Sequence, residues 1–234
     1  MNLILLNDKD FISEKRVILK GKTITHIKKV LKSGVGDSIK VGRVNSLMGV
    51  GKIVKIEEEF IELDIDLTSP PPKPLDVTLI MAMVRPKSLK KALHIAIAMG
   101  IKDIYIIKTW RVEKSFWSSP VLDNLDKIVI EALEQAKDTT IPNIHIRKRF
   151  KPFVEDELPT IIDGKEAIIA HPISSLSIKD INVRNKTVLA IGPEGGFIDY
   201  EVEKLNELGF KSFHLGERIL RVEFAIPVIL GRFL

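Results

Sequence analysis

The chain has 234 residues, of which 45% are hydrophobic and 29% charged, and its formal net charge is +5. This composition is typical of a globular protein with one large or two modest domains, and it excludes a disordered chain. The chain contains no cysteine, which excludes disulfides, thiolate metal sites and cysteine nucleophiles. No apolar run is as long as a membrane span and the first residues do not resemble a signal peptide, so we expect a cytoplasmic protein without membrane contact.

Residues 1–69 predict a small, mostly β domain. Alternation of apolar and polar residues predicts strands at 16–20, 37–41, 48–56 and 60–67. Thr23 is expected to cap a helix that runs through Leu31, and Gly34 and Gly36 are expected to end it.

Charge is unevenly distributed within this domain. Between Lys15 and Lys55 there are eleven Lys or Arg residues and one acid, Asp37, whereas six acids and no base lie between Glu57 and Asp66. A basic face of this size suits a polyanion, although a solvated lysine-rich surface is the alternative interpretation. Aromatic residues are scarce in this half of the chain, so phosphate contacts are expected there and base stacking is not.

The segment 70–74 contains four prolines in five positions. Such a segment cannot continue a β-ladder and favours a stiff, extended conformation. It predicts a linker between a domain at 1–69 and a second domain at 75–234.

The second domain alternates strands and helices. The apolar run 77–84 is typical of a buried parallel strand, and Pro86 is expected to begin a helix through Met99 that Gly100 ends. Further strands are predicted at 103–107, 143–146, 166–170, 187–191 and 213–215, with helices at about 120–136 and 199–208. This order predicts an α/β fold with an open, mainly parallel sheet, in which ligands bind beyond the carboxyl ends of the strands.

Two of the predicted loops are rich in glycine and charge. The first is Gly-Pro-Glu-Gly-Gly at 192–196, and the second runs from Leu215 to Arg221. Glycine permits a tight turn and a close approach of the backbone to a ligand, so the loops predict a small-molecule pocket. A plain turn is the alternative, but a turn does not require the charged residues around Ile219 and Leu220. The chain has neither the nicotinamide-binding fingerprint nor a P-loop.

Gly-Pro-Glu-Gly-Gly-Phe at 192–197, followed by Leu-Gly-Glu-Arg-Ile-Leu-Arg-Val-Glu at 215–223, resembles the signature of the ribosomal RNA small subunit methyltransferase E family. That family belongs to the SPOUT class of S-adenosylmethionine-dependent methyltransferases. The resemblance implies a SPOUT-type α/β domain with a trefoil knot and an N-terminal PUA-like β-barrel that holds RNA. It also implies a homodimer that uses the apolar stretch 225–234, and ribosomal RNA or the small ribosomal subunit as the partner.

The same resemblance implies transfer of a methyl group from S-adenosylmethionine to N3 of a uridine in small-subunit ribosomal RNA, without a metal. The expected cofactor-binding residues are Ala170, His171, Pro172, Ile191, Gly192, Pro193, Gly195, Gly196, Leu215, Gly216, Ile219 and Leu220. Arg218 or Arg221 is expected to stabilise negative charge on the uracil oxygens, unless it is paired with Glu217 or Glu223. Glu194 or Glu223 is expected to take the N3 proton, and the residues alone do not choose between these two acids.

Seven polar residues are candidates for RNA binding, and they are Arg16, Lys22, Lys28, Lys29, Lys87, Arg111 and Gln135. Gln135 lies four residues after Glu131 on the same predicted helix, so a hydrogen bond between these two side chains explains Gln135 equally well. Five positions depart from the family pattern, namely Ala98, Lys137, Asp138, Phe224 and Pro227. A proline costs about 3 kcal/mol inside a helix, so the last helix is expected to begin after the family position or to kink at Pro227.

Two other functions remain open on the residues alone. The first is a SPOUT methyltransferase that acts on a ribose 2′-oxygen or on a different base. The second is a non-catalytic RNA-binding or ribosome-assembly factor that has kept the fold and lost turnover.

Overall fold

The computed structural model describes residues 2–181 and 186–234. They form two compact units. One unit contains the residues up to Lys73 together with Ile130–Ile141, and the other contains Pro74–Val129 together with Pro142–Leu234. The segment Ile130–Ile141 is predicted from the sequence to be part of the second domain, whereas its contacts group it with the first unit. Within the described residues, no helix has the length and apolar character needed to cross a bilayer.

The first unit is a six-stranded sheet. Its strands are β1 (Ile4–Leu6), β2 (Phe11–Ser13), β3 (Arg16–Lys20), β4 (Ser38–Arg43), β5 (Met48–Ile56) and β6 (Phe60–Ser69). They lie in the order β1-β4-β5-β6-β3-β2, with β1 parallel to β4 and the other pairs antiparallel. Alternate residues such as Val17, Leu19, Ile61 and Leu63 are buried in one core, as the period-two pattern predicts.

The helical segment of this unit differs from the predicted one. It begins as α1 (Lys22–Thr25) and continues as a π-helix over His26–Leu31. The prediction of Thr23 as the cap is wrong, because Gly21 precedes the helix with φ of 67° and Thr23 lies inside it. The segment ends at Lys32, which adopts the left-handed conformation with φ of 54°, before either predicted glycine.

The second unit contains a six-stranded sheet in which every pairing is parallel. Its strands are β7 (Val77–Ala82), β8 (Asp103–Ile107), β9 (Asn143–Arg147), β10 (Glu166–Ala170), β11 (Thr187–Ile191) and β12 (Lys211–Phe213). Their order is β12-β10-β11-β7-β8-β9. The predicted α/β fold with a parallel sheet is therefore confirmed. The central strand β11 is buried throughout, as a strand with neighbours on both sides and helices on its faces should be.

Helices of several lengths connect these strands or follow the last of them. They are α2 (Pro86–Ala98), α3 (Leu125–Ala136), α4 (Phe150–Pro152), α5 (Leu158–Ile162), α6 (Asp199–Glu207) and α7 (Val222–Leu230). A π-helical turn, Phe153–Glu157, joins α4 to α5, and short 3-10 turns lie at Asp8–Asp10, Lys114–Ser118, Leu122–Asn124 and Ile178–Asp180. Helix α3 begins about five residues later than predicted because the 3-10 turn Leu122–Asn124 occupies the predicted first turn.

Two boundaries near the predicted pocket are also corrected. Strand β12 ends at Phe213, so Leu215 lies in the following loop and not in a strand. Helix α7 begins at Val222 and continues through Pro227, so the helix does not begin after the proline. The alternative, a kink at Pro227, stays a prediction. The missing N–H of Pro227 removes one hydrogen bond, to the carbonyl of Glu223, while Ile226 and Leu230 remain buried on the helix.

Candidate active site

The sheet order brings three loops to one edge. Strand β11 pairs with β10 on one side, and β10 pairs with β12 on its other side. Because all three strands are parallel, the loops that follow them lie together beyond their carboxyl ends. Between these loops is an open cavity of about 90 Å³.

The cavity collects nearly all of the predicted cofactor residues. Every one of them except Gly195 contributes to its lining. Four further residues also line it that sequence reasoning missed, and they are Phe213, His214, Val222 and Ala225. Val222 and Ala225 belong to the first turn of α7, and no sequence signal separates them from ordinary core residues.

Gly192 gives the first loop its shape. A Cβ atom at this position would lie 3.0 Å from the backbone nitrogen of Phe197 and 3.2 Å from the backbone carbon of Gly196. Both distances are shorter than an ordinary contact, so any larger residue here requires the backbone of the loop to shift. Gly196 has φ of 71°, and its N–H donates a 2.8 Å hydrogen bond to the carbonyl of Pro193. The backbone of this loop is therefore fixed in a turn that favours glycine.

Gly195 faces away from the cavity and against Arg111. The guanidinium of Arg111 donates a hydrogen bond to the carbonyl of Gly195. A Cβ atom at Gly195 would lie 3.1 Å from Cδ of Arg111. The loop that follows β8 is thus docked on the outer side of the glycine-rich loop, and the exposed side chain of Arg111 makes this contact.

The second loop is open and places two apolar side chains at the cavity. Gly216 has φ of 109°, and its N–H donates a 3.0 Å hydrogen bond to Nδ1 of His214. Ile219 and Leu220 line the cavity yet remain 73% and 37% exposed. A ligand larger than the cavity itself would cover these two side chains, and their burial would favour its binding.

His171, which lines the cavity, has a ring nitrogen without a hydrogen-bond partner among the described residues. This atom is the buried Nδ1. Burial lowers the pKa of His171 below its usual 6.5, with Asp199 opposing this shift and Arg111 adding to it. The imidazole is therefore neutral near pH 7 and able to bond with a ligand. The sequence places His171 among the cofactor-binding residues but does not assign this role to its side chain.

The four predicted catalytic residues divide into two pairs. Glu194 and Arg218 line the cavity. The carboxylate of Glu194 accepts a 3.1 Å hydrogen bond from the backbone N–H of Arg85, in the loop between β7 and α2. Arg221 and Glu223 do not line the cavity.

Glu223 instead faces a separate groove between α2 and α7. Its side chain is 4% exposed, and Oε1 accepts a 3.2 Å hydrogen bond from Oγ of Ser88. Oε2 is buried and has no hydrogen-bond partner among the described residues. The groove has a volume of about 800 Å³ and is lined by Pro86, Lys87, Lys90, Lys91, His94, Ile95, Val121, Glu223, Phe224 and Pro227.

The predicted RNA-binding residues differ in their availability. Arg16 forms ion pairs with Glu62 at 3.0 Å and with Asp64 at 2.8 Å, because its strand β3 lies beside the acidic strand β6. Lys28 donates a 2.8 Å hydrogen bond to the carbonyl of Glu57. Arg111 is bonded to the carbonyl of Gly195. All seven residues of the set are exposed, including Lys22, Lys29, Lys87 and Gln135. Within the described residues, no group of three or more His, Asp or Glu side chains is placed to hold a metal ion.

Residues 71–234 match the family described as the RNA methyltransferase domain. The match spans the parallel sheet and the loops that line its cavity, and it defines the chain as an RNA methyltransferase-domain protein. A ribosomal RNA small subunit methyltransferase E from Mesomycoplasma hyopneumoniae is 30% identical over 160 residues, which cover 67% of this chain and 68% of that protein. The same-named protein of Treponema pallidum is 24% identical over 96% of this chain and 87% of its own length. The chain belongs to the ribosomal RNA small subunit methyltransferase E family.

A solved structure shows the same fold over both units. The ribosomal RNA small subunit methyltransferase E of Neisseria gonorrhoeae, bound to S-adenosyl methionine, superposes with a TM-score of 0.79 at 21% identity. The match covers 98% of this chain and 96% of that one.

Proposed function

We propose that this protein methylates N3 of a uridine in small-subunit ribosomal RNA, with S-adenosylmethionine bound in the cavity beyond β10, β11 and β12. The observation that carries the proposal is the convergence of Glu194 and Arg218 on a cavity that is otherwise built from glycine-rich backbone and apolar side chains. Family membership supports the reaction class, and the position of the modified atom is the finer part of the proposal.

The residues of the cavity fit S-adenosylmethionine. An adenine ring has apolar faces and hydrogen-bonding edges, which match Ile191, Leu220 and the backbone of the two glycine loops. The unpartnered Nδ1 of His171 is a further group for the nucleoside. When bound, the cofactor supplies a methyl group made electrophilic by its sulfonium. Among the described residues that line the cavity, Glu194 is the only acid.

Glu194 is the better placed of the two candidate bases. Its carboxylate borders the cavity, whereas Glu223 is buried beside Ser88 in another groove. The hydrogen bond from the backbone of Arg85 orients Glu194 without neutralising it. A carboxylate so placed would take the N3 proton, leaving negative charge on the uracil carbonyl oxygens. Arg218, which borders the same cavity, would stabilise that charge.

Three structural expectations are part of the proposal. The trefoil knot is supported by the insertion of β11 between β7 and β10, which are distant in sequence. The PUA-like role of the first unit is supported by its β-sheet architecture and by the exposed lysines at positions 22 and 29. The homodimer is supported by the groove between α2 and α7, beside which Phe224 and Val228 are 57% and 51% exposed. Because ribosomal RNA is the proposed substrate, we place the reaction in the cytoplasm.

The decisive experiment combines calorimetric titration with S-adenosylmethionine and transfer of a labelled methyl group to small ribosomal subunits that lack their modifications. Binding followed by appearance of N3-methyluridine is the expected result. A 2′-O-methylated nucleoside or another methylated base would instead show that the protein has a different SPOUT methyltransferase activity. Binding without transfer to any RNA would favour the assembly-factor alternative, and no binding would overturn the assignment of the cavity.

A further inference from the structure

Trp110 is the most exposed aromatic side chain of the described residues, with 80% of its surface accessible. It lies in the loop that follows β8, three residues beyond the end of that strand at Ile107. A single exposed aliphatic residue needs no explanation, but an indole offers a large, rigid apolar face at a low entropic cost of ordering.

The backbone of Trp110 is held in place by a buried side chain. The N–H of Trp110 donates a 2.7 Å hydrogen bond to Oε1 of Glu201, whose side chain is only 2% exposed. Oε2 of the same carboxylate accepts a 3.1 Å hydrogen bond from the backbone N–H of Ile198 at the N-terminus of α6, where negative charge is stabilised. Glu201 thereby ties the loop after β8 to the start of a helix. The exposure of the indole is a property of a fixed loop.

The next residue connects the loop to the candidate active site. Arg111 donates its hydrogen bond to the carbonyl of Gly195 and packs its side chain against that glycine. The flanking residues Glu194 and Gly196 both line the cavity. A guanidinium therefore lies against the wall that carries the proposed catalytic base, and the exposed indole belongs to the residue that directly precedes it.

The chemistry of the proposed substrate calls for such a face. N3 of uracil lies on the Watson–Crick edge, so the acceptor base must be unpaired and lifted out of any stack before it reacts. Unpaired bases of RNA are commonly held by stacking on aromatic side chains and on arginine.

We infer that Trp110 is a stacking platform for an unpaired base of the substrate RNA beside the reaction site. This inference rests on the proposed function and deepens it by assigning a positioning residue for RNA. The interaction is sequence-tolerant, since every base has an apolar face, and it does not involve the cofactor.

Steady-state kinetics on unmodified small subunits test the inference with three variants. Trp110→Ala should raise KM for RNA by about 5- to 150-fold, the range expected for one base–aromatic stack, and leave S-adenosylmethionine affinity unchanged. Trp110→Phe should restore most of the loss. Trp117→Phe, which alters the only other tryptophan of the chain, is the matched control and should leave KM unchanged.

Fluorescence gives a readout that does not depend on turnover. In the Trp117→Phe background Trp110 is the only tryptophan, so its emission should be quenched when unmodified ribosomal RNA is added. Unchanged KM in Trp110→Ala, or emission that RNA leaves unaffected, would overturn the inference. A change of oligomeric state in Trp110→Ala would also overturn it, by assigning the indole to a protein interface. If RNA quenched the emission of Trp110 but the protein transferred no methyl group, the result would count against the proposed function. The inference that Trp110 stacks on an RNA base would still hold.

Discussion

The backbone N–H of Arg85 and the carboxylate of Glu194 are joined by a 3.1 Å hydrogen bond across 109 positions of sequence. This contact connects the loop after β7 with the glycine-rich loop after β11, and it fixes the direction of the proposed base. Glu194→Gln keeps a carbonyl acceptor for Arg85 but cannot take a proton at neutral pH. We expect kcat to fall by about 10²- to 10⁴-fold, with little change in cofactor affinity.

Single-turnover methyl transfer and calorimetry together check this expectation. Glu223→Gln is the matched control, because it alters an acid outside the cavity. If Glu223→Gln reduced kcat and Glu194→Gln did not, the assignment of the base would be reversed.

Gly192 and Gly216 are predicted to respond differently to alanine. At Gly192 the added Cβ would meet the backbone of Phe197 at 3.0 Å, so the cavity wall has to move and S-adenosylmethionine affinity should fall by at least tenfold. At Gly216 no atom lies within 4 Å of the added Cβ, and the cost is the left-handed backbone alone, about 1–2 kcal/mol. Calorimetric dissociation constants measure the difference. Equal losses in the two variants would show that backbone strain, not the shape of the wall, controls binding.

Gly195→Val separates the two sides of the first loop. Its side chain would collide with Arg111 and not with a ligand in the cavity. We therefore expect methyl transfer to fall more than cofactor affinity, which kinetic and calorimetric measurements on the same preparation would resolve. A complete loss of cofactor binding would instead place the outer side of this loop in the binding site.

Basic residues of the first unit should contribute unequally to RNA binding. In the described part of the chain neither Lys22 nor Lys29 has an ion-pair partner, whereas Arg16 is neutralised by Glu62 and Asp64. The double variant Lys22→Ala/Lys29→Ala should weaken RNA binding and lower the slope of log affinity against log salt by roughly 0.7–0.9 for each phosphate that the protein no longer neutralises. Arg16→Ala should leave that slope unchanged. The opposite ranking would show that RNA displaces the carboxylates from Arg16.

Acid should destabilise the protein partly through His171. Because burial holds its pKa below 6.5 in the folded state, the unfolded chain binds more protons between the two pKa values. The free energy of unfolding therefore declines as pH falls below about 6.5. His26, whose pKa is also lowered by burial, contributes in the same direction.

Urea unfolding near neutral pH and about two pH units lower measures this decline. His171→Asn retains a polar atom near the position of Nδ1 but does not titrate, so the decline should be smaller in the variant. An equal decline in both proteins would assign the acid sensitivity to other groups.

Local patterns in the sequence predict much of this structure. The strands Arg16–Lys20, Met48–Ile56, Asp103–Ile107, Glu166–Ala170 and Thr187–Ile191 have the predicted bounds, because their apolar periodicity and flanking glycines are local signals. The cofactor loops are predictable in the same way, since glycine at a strand end is informative without knowledge of the fold.

Contacts between distant residues are not encoded in such patterns. The basic run and the acidic run look like separate surfaces in the sequence, yet the pairing of β3 with β6 sets Arg16 against Asp64. Likewise, Glu194 and Glu223 are equivalent candidates until the direction of α7 turns Glu223 toward Ser88. No local pattern singles out Trp110, because its backbone N–H is held by the buried carboxylate of Glu201, which lies far along the chain.

The central position of β11 in the parallel sheet also affects how the second unit folds. Strands β7 and β10 are synthesised before β11, but they do not pair with each other. Both pair with β11, which lies between them in the sheet. Such long-range pairing makes for slow folding, since much of the chain has to be ordered before the sheet closes. A nascent chain released before Thr187 would contain the loop that follows β10 and also Arg111. It would lack the glycine-rich loop after β11, against which both are placed in the folded protein. The ability to hold a cofactor should therefore arise abruptly, with the last fifth of the polypeptide.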